Sequence, residues 1–204
     1  MQIDITLDVK QATRGLGSAA RQVPFAAALA TTHLAKMVQL SETEALPSVF
    51  DRPTPFTMRA FGVSTASKSS PQAEVFAKTI QARYLEPSET GGLQILGKGR
   101  AIRKPVDIRT NAYGNIPKGA IARRVPAGQL STKGKRGFFI GKVHGVNGLW
   151  QRQPGHKLKL LIAFSRPQPV LTHLEFQRRA RAVVKANFAE VFGAALRRAL
   201  RTAR

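Results

Sequence analysis

The chain has no cysteine among its 204 residues. That absence excludes a disulfide framework, a thiolate nucleophile and every zinc or iron–sulfur centre built on Cys ligands, while leaving the redox compartment open. Long apolar runs are missing too. No stretch of about 18 apolar residues occurs, and the opening Met-Gln-Ile-Asp-Ile-Thr-Leu-Asp has neither a basic nor a hydrophobic leader region, so neither a membrane span nor signal-peptide export is expected. Acidic residues are scarce: 11 Asp and Glu stand against 33 Lys and Arg, for a net charge of +22. With 43% hydrophobic and 22% charged residues the composition is globular rather than disordered. Such an excess repels itself in a compact chain and points to an anionic partner: nucleic acid, an acidic protein surface or anionic lipid.

The charge is polarised. Residues 1–97 hold 9 basic and 8 acidic side chains, whereas residues 98–204 hold 24 basic side chains against Asp107, Glu175 and Glu190. Within residues 91–148 lie 12 of the 17 glycines and 12 Lys or Arg, with Pro105, Pro117 and Pro126 between them. This composition predicts an extended Gly/Lys/Arg-rich loop or arm over residues 86–137, inserted in a single domain spanning 1–204 and ordered on assembly. The plainer alternative is a solvated linker between two small domains.

Ile3, Ile5, Leu7 and Val9 alternate with Asp4, Thr6 and Asp8, the period of a half-buried strand. Pro24 suits a first helical turn, and Phe25, Ala26, Leu29, Leu34, Met37 and Val38 recur at helical spacing to about Ala45, with Pro47 and the Pro53 and Pro55 pair stopping the helix. Runs from Phe56 to Val63 and from Glu74 to Ile80 predict a hairpin around a Ser-rich turn at 64–70, and Phe138 to Val143 and Leu158 to Phe164 predict core strands. From Leu174 the period changes to 3.6: Val184, Phe188, Val191, Phe192, Ala195 and Ala199 share one face, with Arg179, Arg197, Arg201 and Arg204 opposite. The pattern predicts an α+β fold in which an antiparallel or mixed sheet packs against two long helices.

Catalytic signatures are weak. Gly92, Gly97 and Lys98 imitate a phosphate-binding loop, but Gly99 replaces the hydroxyl residue that holds magnesium, and Pro105 stands where the helix should run. His33, His144, His156 and His173 are spaced too irregularly for a metal pair, and acids to complete a triad are scarce in the second half. No enzymatic activity, metal or cofactor is expected. Zinc fingers, sheet-type RNA-binding signatures and helix-turn-helix motifs are lacking, so any nucleic-acid contact should be to phosphates without base readout. The basic clusters Lys98, Arg100, Arg103, Lys104 and Lys133, Lys135, Arg136 are the candidate contacts to DNA or an acidic partner. Phe138, Phe139, Leu149, Trp150 and Arg152 are candidates for the core or a subunit interface.

Tyr84-Leu85-Glu86-Pro87 leading to Gly91-Gly92, then Tyr113-Gly114-Asn115-Ile116-Pro117, Phe138-Phe139-Ile140-Gly141 and Gly148-Leu149-Trp150-Gln151-Arg152, come in an order that resembles the tail completion proteins of tailed bacteriophages, the minor tail protein Z group. Arg166-Pro167 and the Arg-rich C-terminal helix continue the likeness, which covers most of residues 18–204. The resemblance implies a structural virion protein at the neck or head-proximal end of the tail. It implies a homo-oligomeric ring, a hexamer or alternatively a dodecamer, around the DNA channel, touching neighbouring neck, connector or tail terminator proteins and the genomic DNA, with no membrane. It would be found in the virion, and in the host cytoplasm during assembly. A different class of function, a sequence-independent nucleic-acid-binding protein acting as a free oligomer, uses the same charge.

Overall fold

The structure is a computed structural model that describes residues 1–7, 22–94, 101–126, 128–130 and 137–202. Along them run β1 (Gln2–Thr6), α1 (Val23–Val49), α2 (Pro55–Met58), β2 (Phe61–Ser64), β3 (Gln72–Ala77), α3 (Thr79–Thr90), β4 (Gly92–Gln94), β5 (Ile102–Pro105), α4 (Ala120–Arg124), β6 (Gly137–Val143), β7 (Val146–Arg152), β8 (Leu158–Ser165), β9 (Gln168–Val170) and α5 (Phe176–Arg201). The architecture is α+β with antiparallel sheets and a C-terminal helix. It divides into two compact units: unit 1 comprises Met1–Thr90 with Thr172–Arg204, and unit 2 comprises Gly91–Leu171. Among the described residues no helix is long and apolar enough to cross a membrane.

Unit 1 is a three-stranded sheet of order β1-β3-β2 against which α1 packs, with α5 alongside α1. Alternation puts Ile5, Ala73 and Val75 into the core, where Leu34, Val38, Leu46, Phe61, Leu85, Leu174 and Phe176 join them. Small residues on both long helices, Ala26, Ala30 and Ala35 of α1 and Ala180, Ala195 and Ala199 of α5, are buried in the same core. The rings of Phe61 and Phe176 stack with centroids 5.4 Å apart.

Several expectations change here. Residues 56–58 are helical rather than extended, because Thr54 Oγ1 accepts the N–H of Thr57 and starts the turn of α2. The hairpin is therefore β2 with β3, and Ile80 belongs to α3, which begins at Thr79. Of the prolines expected to stop α1, Pro47 lies inside it, since the helix continues to Val49 and Phe50 N–H still reaches the Leu46 carbonyl at 2.9 Å, and the helix ends before Pro53. Arg179 is not on a solvated face. Its Nε lies 3.4 Å from Oε2 of Glu42 on α1, whose side chain is fully buried.

That pair lacks hydrogen-bond geometry, and both carboxylate oxygens are unsatisfied. Burial pushes the Glu42 carboxyl from 4.5 up to about 7, against the lowering effect of the Arg179 charge and with a smaller raising effect from Glu89. Glu89 itself closes α5. Glu175, the residue before the helix, has φ of 54° and offers no side-chain cap, so the Glu89 carboxylate accepts from Phe176 N at 2.7 Å and Gln177 N at 3.0 Å. The Ser88 carbonyl accepts from His173 N and Leu174 N in the same stretch.

Unit 2 holds a four-stranded antiparallel sheet of order β5-β8-β7-β6 and a two-stranded ladder of β4 with β9, which joins its own two ends. Strands β6 and β7 meet in a two-residue hairpin at His144 and Gly145, with φ of 46° and 83°, the left-handed pair whose twist matches the strands. A bulge falls between Leu149 and Trp150 opposite β8. Gly148 makes it possible, since a Cβ there would sit 2.4 Å from the Ile162 carbonyl oxygen. The segment 86–137, expected as an extended arm, contains in its described parts the end of α3, then β4, β5 and α4.

Candidate polyanion-binding site

Unit 2 carries 16 Lys and Arg against one acid, Asp107, for +15, which leaves +7 of the chain's +22 in unit 1. The single acid is spent internally: its Oδ2 lies 2.5 Å from Lys159 Nζ on β8. The backbone that follows β5 is held against the sheet, because Val106 N and Asp107 N both donate to the Leu161 carbonyl. It then turns back on itself around Asn111, whose Oδ1 accepts from Tyr113 N and Asn115 N, both at 3.0 Å. Gly119, with φ of 75°, admits the chain to α4, and the last turn of α4 carries Arg123 and Arg124.

These pieces enclose an open cleft of about 750 Å³ walled by Arg109, Thr110, Asn111, Arg123, Arg124 and the Asp107–Lys159 pair. Arg124 is steadied by a 3.1 Å hydrogen bond from Nη2 to Gln151 Oε1 on β7. Three exposed guanidinium groups and one lysine line this concave cleft around a single paired carboxylate. Guanidinium forks match phosphate oxygens in pairs. Among the described residues no group of three or more His, Asp or Glu could hold a metal ion.

The expected contact residues fall elsewhere. Lys98, Arg100, Lys133, Lys135 and Arg136 lie outside the described residues. Arg103 and Lys104 are neighbours on β5, so they stand on opposite faces of the sheet, across from Phe164 and Ala163 respectively. Arg103 edges a separate apolar cavity of about 340 Å³ walled by Ile121, Val125, Leu130, Ile140 and Phe164. Phe138 and Leu149 are core residues of unit 2, packed with Leu161 and Ile162. Trp150 is buried on the other face and donates Nε1–H to the Gly141 carbonyl at 3.1 Å. Its cross-strand partner Phe139 is half-buried, with the Arg152 guanidinium 4.2 Å above the ring centroid.

No family model, no curated protein and no solved structure matches the chain. The cleft rests on its geometry alone.

Sequence reasoning missed Arg109, Arg123, Arg124 and Lys159 because it selected cations adjacent in sequence and flanked by glycine. The cleft instead gathers residues 107–124 with Lys159, which β8 delivers through the β5–β8 pairing. One signal was available: Asp107 is the only acid of the basic region, and the one carboxylate in such a field draws cations around itself.

Proposed function

We propose that the chain is a structural protein of the neck or head-proximal tail end of a tailed bacteriophage, a tail completion or head–tail joining protein. In this reading it forms a homo-oligomeric ring around the DNA channel, six-fold or alternatively twelve-fold. The observation that carries the proposal is the concentration of +15 in the 81 residues of unit 2, together with an open cleft walled by Arg109, Arg123, Arg124 and Lys159. A protein lining a DNA channel needs backbone attraction without base readout, which would stall translocation. The ordered motifs from Tyr84 to Arg152 support the same assignment by resemblance.

The basic arm, with Lys98, Arg100, Lys133, Lys135 and Arg136, serves the same polyanion as the cleft: channel DNA or an acidic ring above or below. The reading assigns no reaction to the chain. Cryo-electron microscopy of purified particles tests it: the chain should be found as a closed ring at the neck. Absence from every particle, together with tight and steeply salt-dependent DNA binding by the isolated protein, would favour a free nucleic-acid-binding oligomer instead.

A further inference from the structure

Independently of the basic cleft, we infer that the outer edge of β1 is a docking groove for an extended acidic segment of another protein, which adds a fourth strand to the sheet of unit 1. The edge can be read residue by residue. Ala77 N–H donates to the Met1 carbonyl, and antiparallel pairing alternates, so Ile3 and Ile5 direct their backbone groups to Val75 and Ala73 of β3. The backbone N–H and C=O groups of Gln2, Asp4 and Thr6 therefore point outward. Gln177 Nε2 takes the Gln2 carbonyl at 2.5 Å. Among the described residues no strand or side chain takes the outward groups of Asp4 and Thr6.

The opposite edge of the sheet is treated differently. There Lys78 N–H donates to the Ala60 carbonyl, which by the same alternation turns Phe61 and Val63 outward, and α1 plugs that edge with Gln39 Nε2 on the Phe61 carbonyl at 2.9 Å. The free edge of β1 faces a groove. The groove has a volume of about 540 Å³, with the strand as one wall and Gln177, Arg181, Val184 and Lys185 of α5 as the other. Those four fall at helical spacing along one stripe, about 12 Å long at 1.5 Å per residue, enough to follow three or four residues of an added strand.

Charge selects the occupant. Arg181 and Lys185 are exposed at the groove wall, and the one acid of the strand, Asp4, already accepts from Gln2 Nε2 at 3.1 Å. An added strand with carboxylates at alternate positions presents them along one face to Arg181 and Lys185. A second copy docked through its own β1 would bring one carboxylate, Asp4, together with two further cations, Arg181 and Lys185, to a groove that already holds two cations. Strand addition draws affinity from main-chain hydrogen bonds and selectivity from alternate side chains.

The test uses the full chain and a labelled seven-residue peptide of alternating valine and glutamate, with an alternating valine–lysine peptide as control, read by fluorescence anisotropy at physiological salt. The acidic peptide should bind and the basic one should not. Methylating one alternate set of the peptide's amide nitrogens should weaken binding at least tenfold, and methylating the other set should not. Asp4→Pro and Thr6→Pro remove only outward N–H groups, so the β1–β3 ladder survives; each should lose at least tenfold in affinity. The sign for Asp4→Pro is informative, because deleting an acid would strengthen a purely electrostatic association. Arg181→Glu with Lys185→Glu should transfer preference to the lysine peptide. The proposal is overturned if no peptide binds, or if binding ignores both methylation sets and both proline variants. It is equally overturned if the wild-type chain self-associates through β1 without taking the peptide.

Discussion

Glu89, near the end of α3, caps the helix that begins 87 residues later at Phe176: its two carboxylate oxygens accept the N–H groups of Phe176 and Gln177. The local residue, Glu175, contributes no cap. Glu89→Ala should therefore lower stability by about 1 to 2 kcal/mol, read from the denaturant midpoint of the full chain, whereas Glu175→Ala should change it by less than about 0.5 kcal/mol, since its pair with Arg178 is exposed. Equal effects would show that the cap is not what holds the start of α5.

The buried Glu42 makes unit 1 sensitive to pH in an unusual direction. Its carboxyl is raised from 4.5 to about 7 in the folded chain, so the folded state binds a proton that the unfolded state has already released. Stability from this group is fully present below about pH 4.5 and is lost as pH rises through about 7, by about 3 kcal/mol. Glu42→Gln should flatten that part of the stability–pH profile. A profile of unchanged slope in the variant would mean that Arg179 keeps Glu42 ionised throughout.

Two glycines should respond to alanine with opposite signs. At Gly148 the new Cβ meets the Ile162 carbonyl oxygen at 2.4 Å and Leu160 Cδ1 at 2.6 Å, and β8 would have to move, so Gly148→Ala should cost about 1 to 3 kcal/mol. At Gly193, inside α5, the nearest atom is the flexible end of Arg197 at 3.4 Å, so Gly193→Ala should gain about 0.5 to 1 kcal/mol. Thermal unfolding of the two variants distinguishes them directly.

The cleft of unit 2 makes a prediction about salt. Replacing Arg109, Arg123 and Arg124 together with Gln should flatten the dependence of duplex DNA affinity on log salt by about 0.9 for each phosphate that is no longer neutralised, hence by about 2 to 3 in all. The far-ultraviolet circular dichroism should not change, since all three side chains are exposed. An unaltered slope would move DNA binding away from this cleft.

Residues with a single dominant force on them were legible from sequence. Ile3 and Ile5 alternate into β1, Pro24 sits in the first turn of α1, and Val191, Ala195 and Ala199 line the buried face of α5. The strands expected at 138–143 and 158–164 stand as β6 and β8, within a residue or so at their ends. What could not be read depends on tertiary partners. Strand β7 was not expected, and its Gly148 is there for the close approach of β8. Arg179 looks like one more surface arginine until Glu42, 137 positions earlier, is seen beneath it. The cleft was hidden for the same reason: Lys159 and Asp107 meet only across a sheet. Unit 2 begins at Gly91, inside the glycine- and charge-rich stretch that was expected as an arm of a single domain.

Unit 1 is interrupted, and this sets an order of events during synthesis. When the first 90 residues have left the ribosome, Leu34, Val38 and Phe61 still lack Leu174, Phe176 and Ala180, which complete their core. The whole of Gly91–Leu171 emerges before those residues do. The continuous insert can therefore fold while its host waits with apolar surface uncovered. The helix that begins at Phe176 acts as the closing step, and the yield of native chain should be governed by how long that wait lasts, so that slowed translation between residues 91 and 171 favours aggregation or chaperone capture.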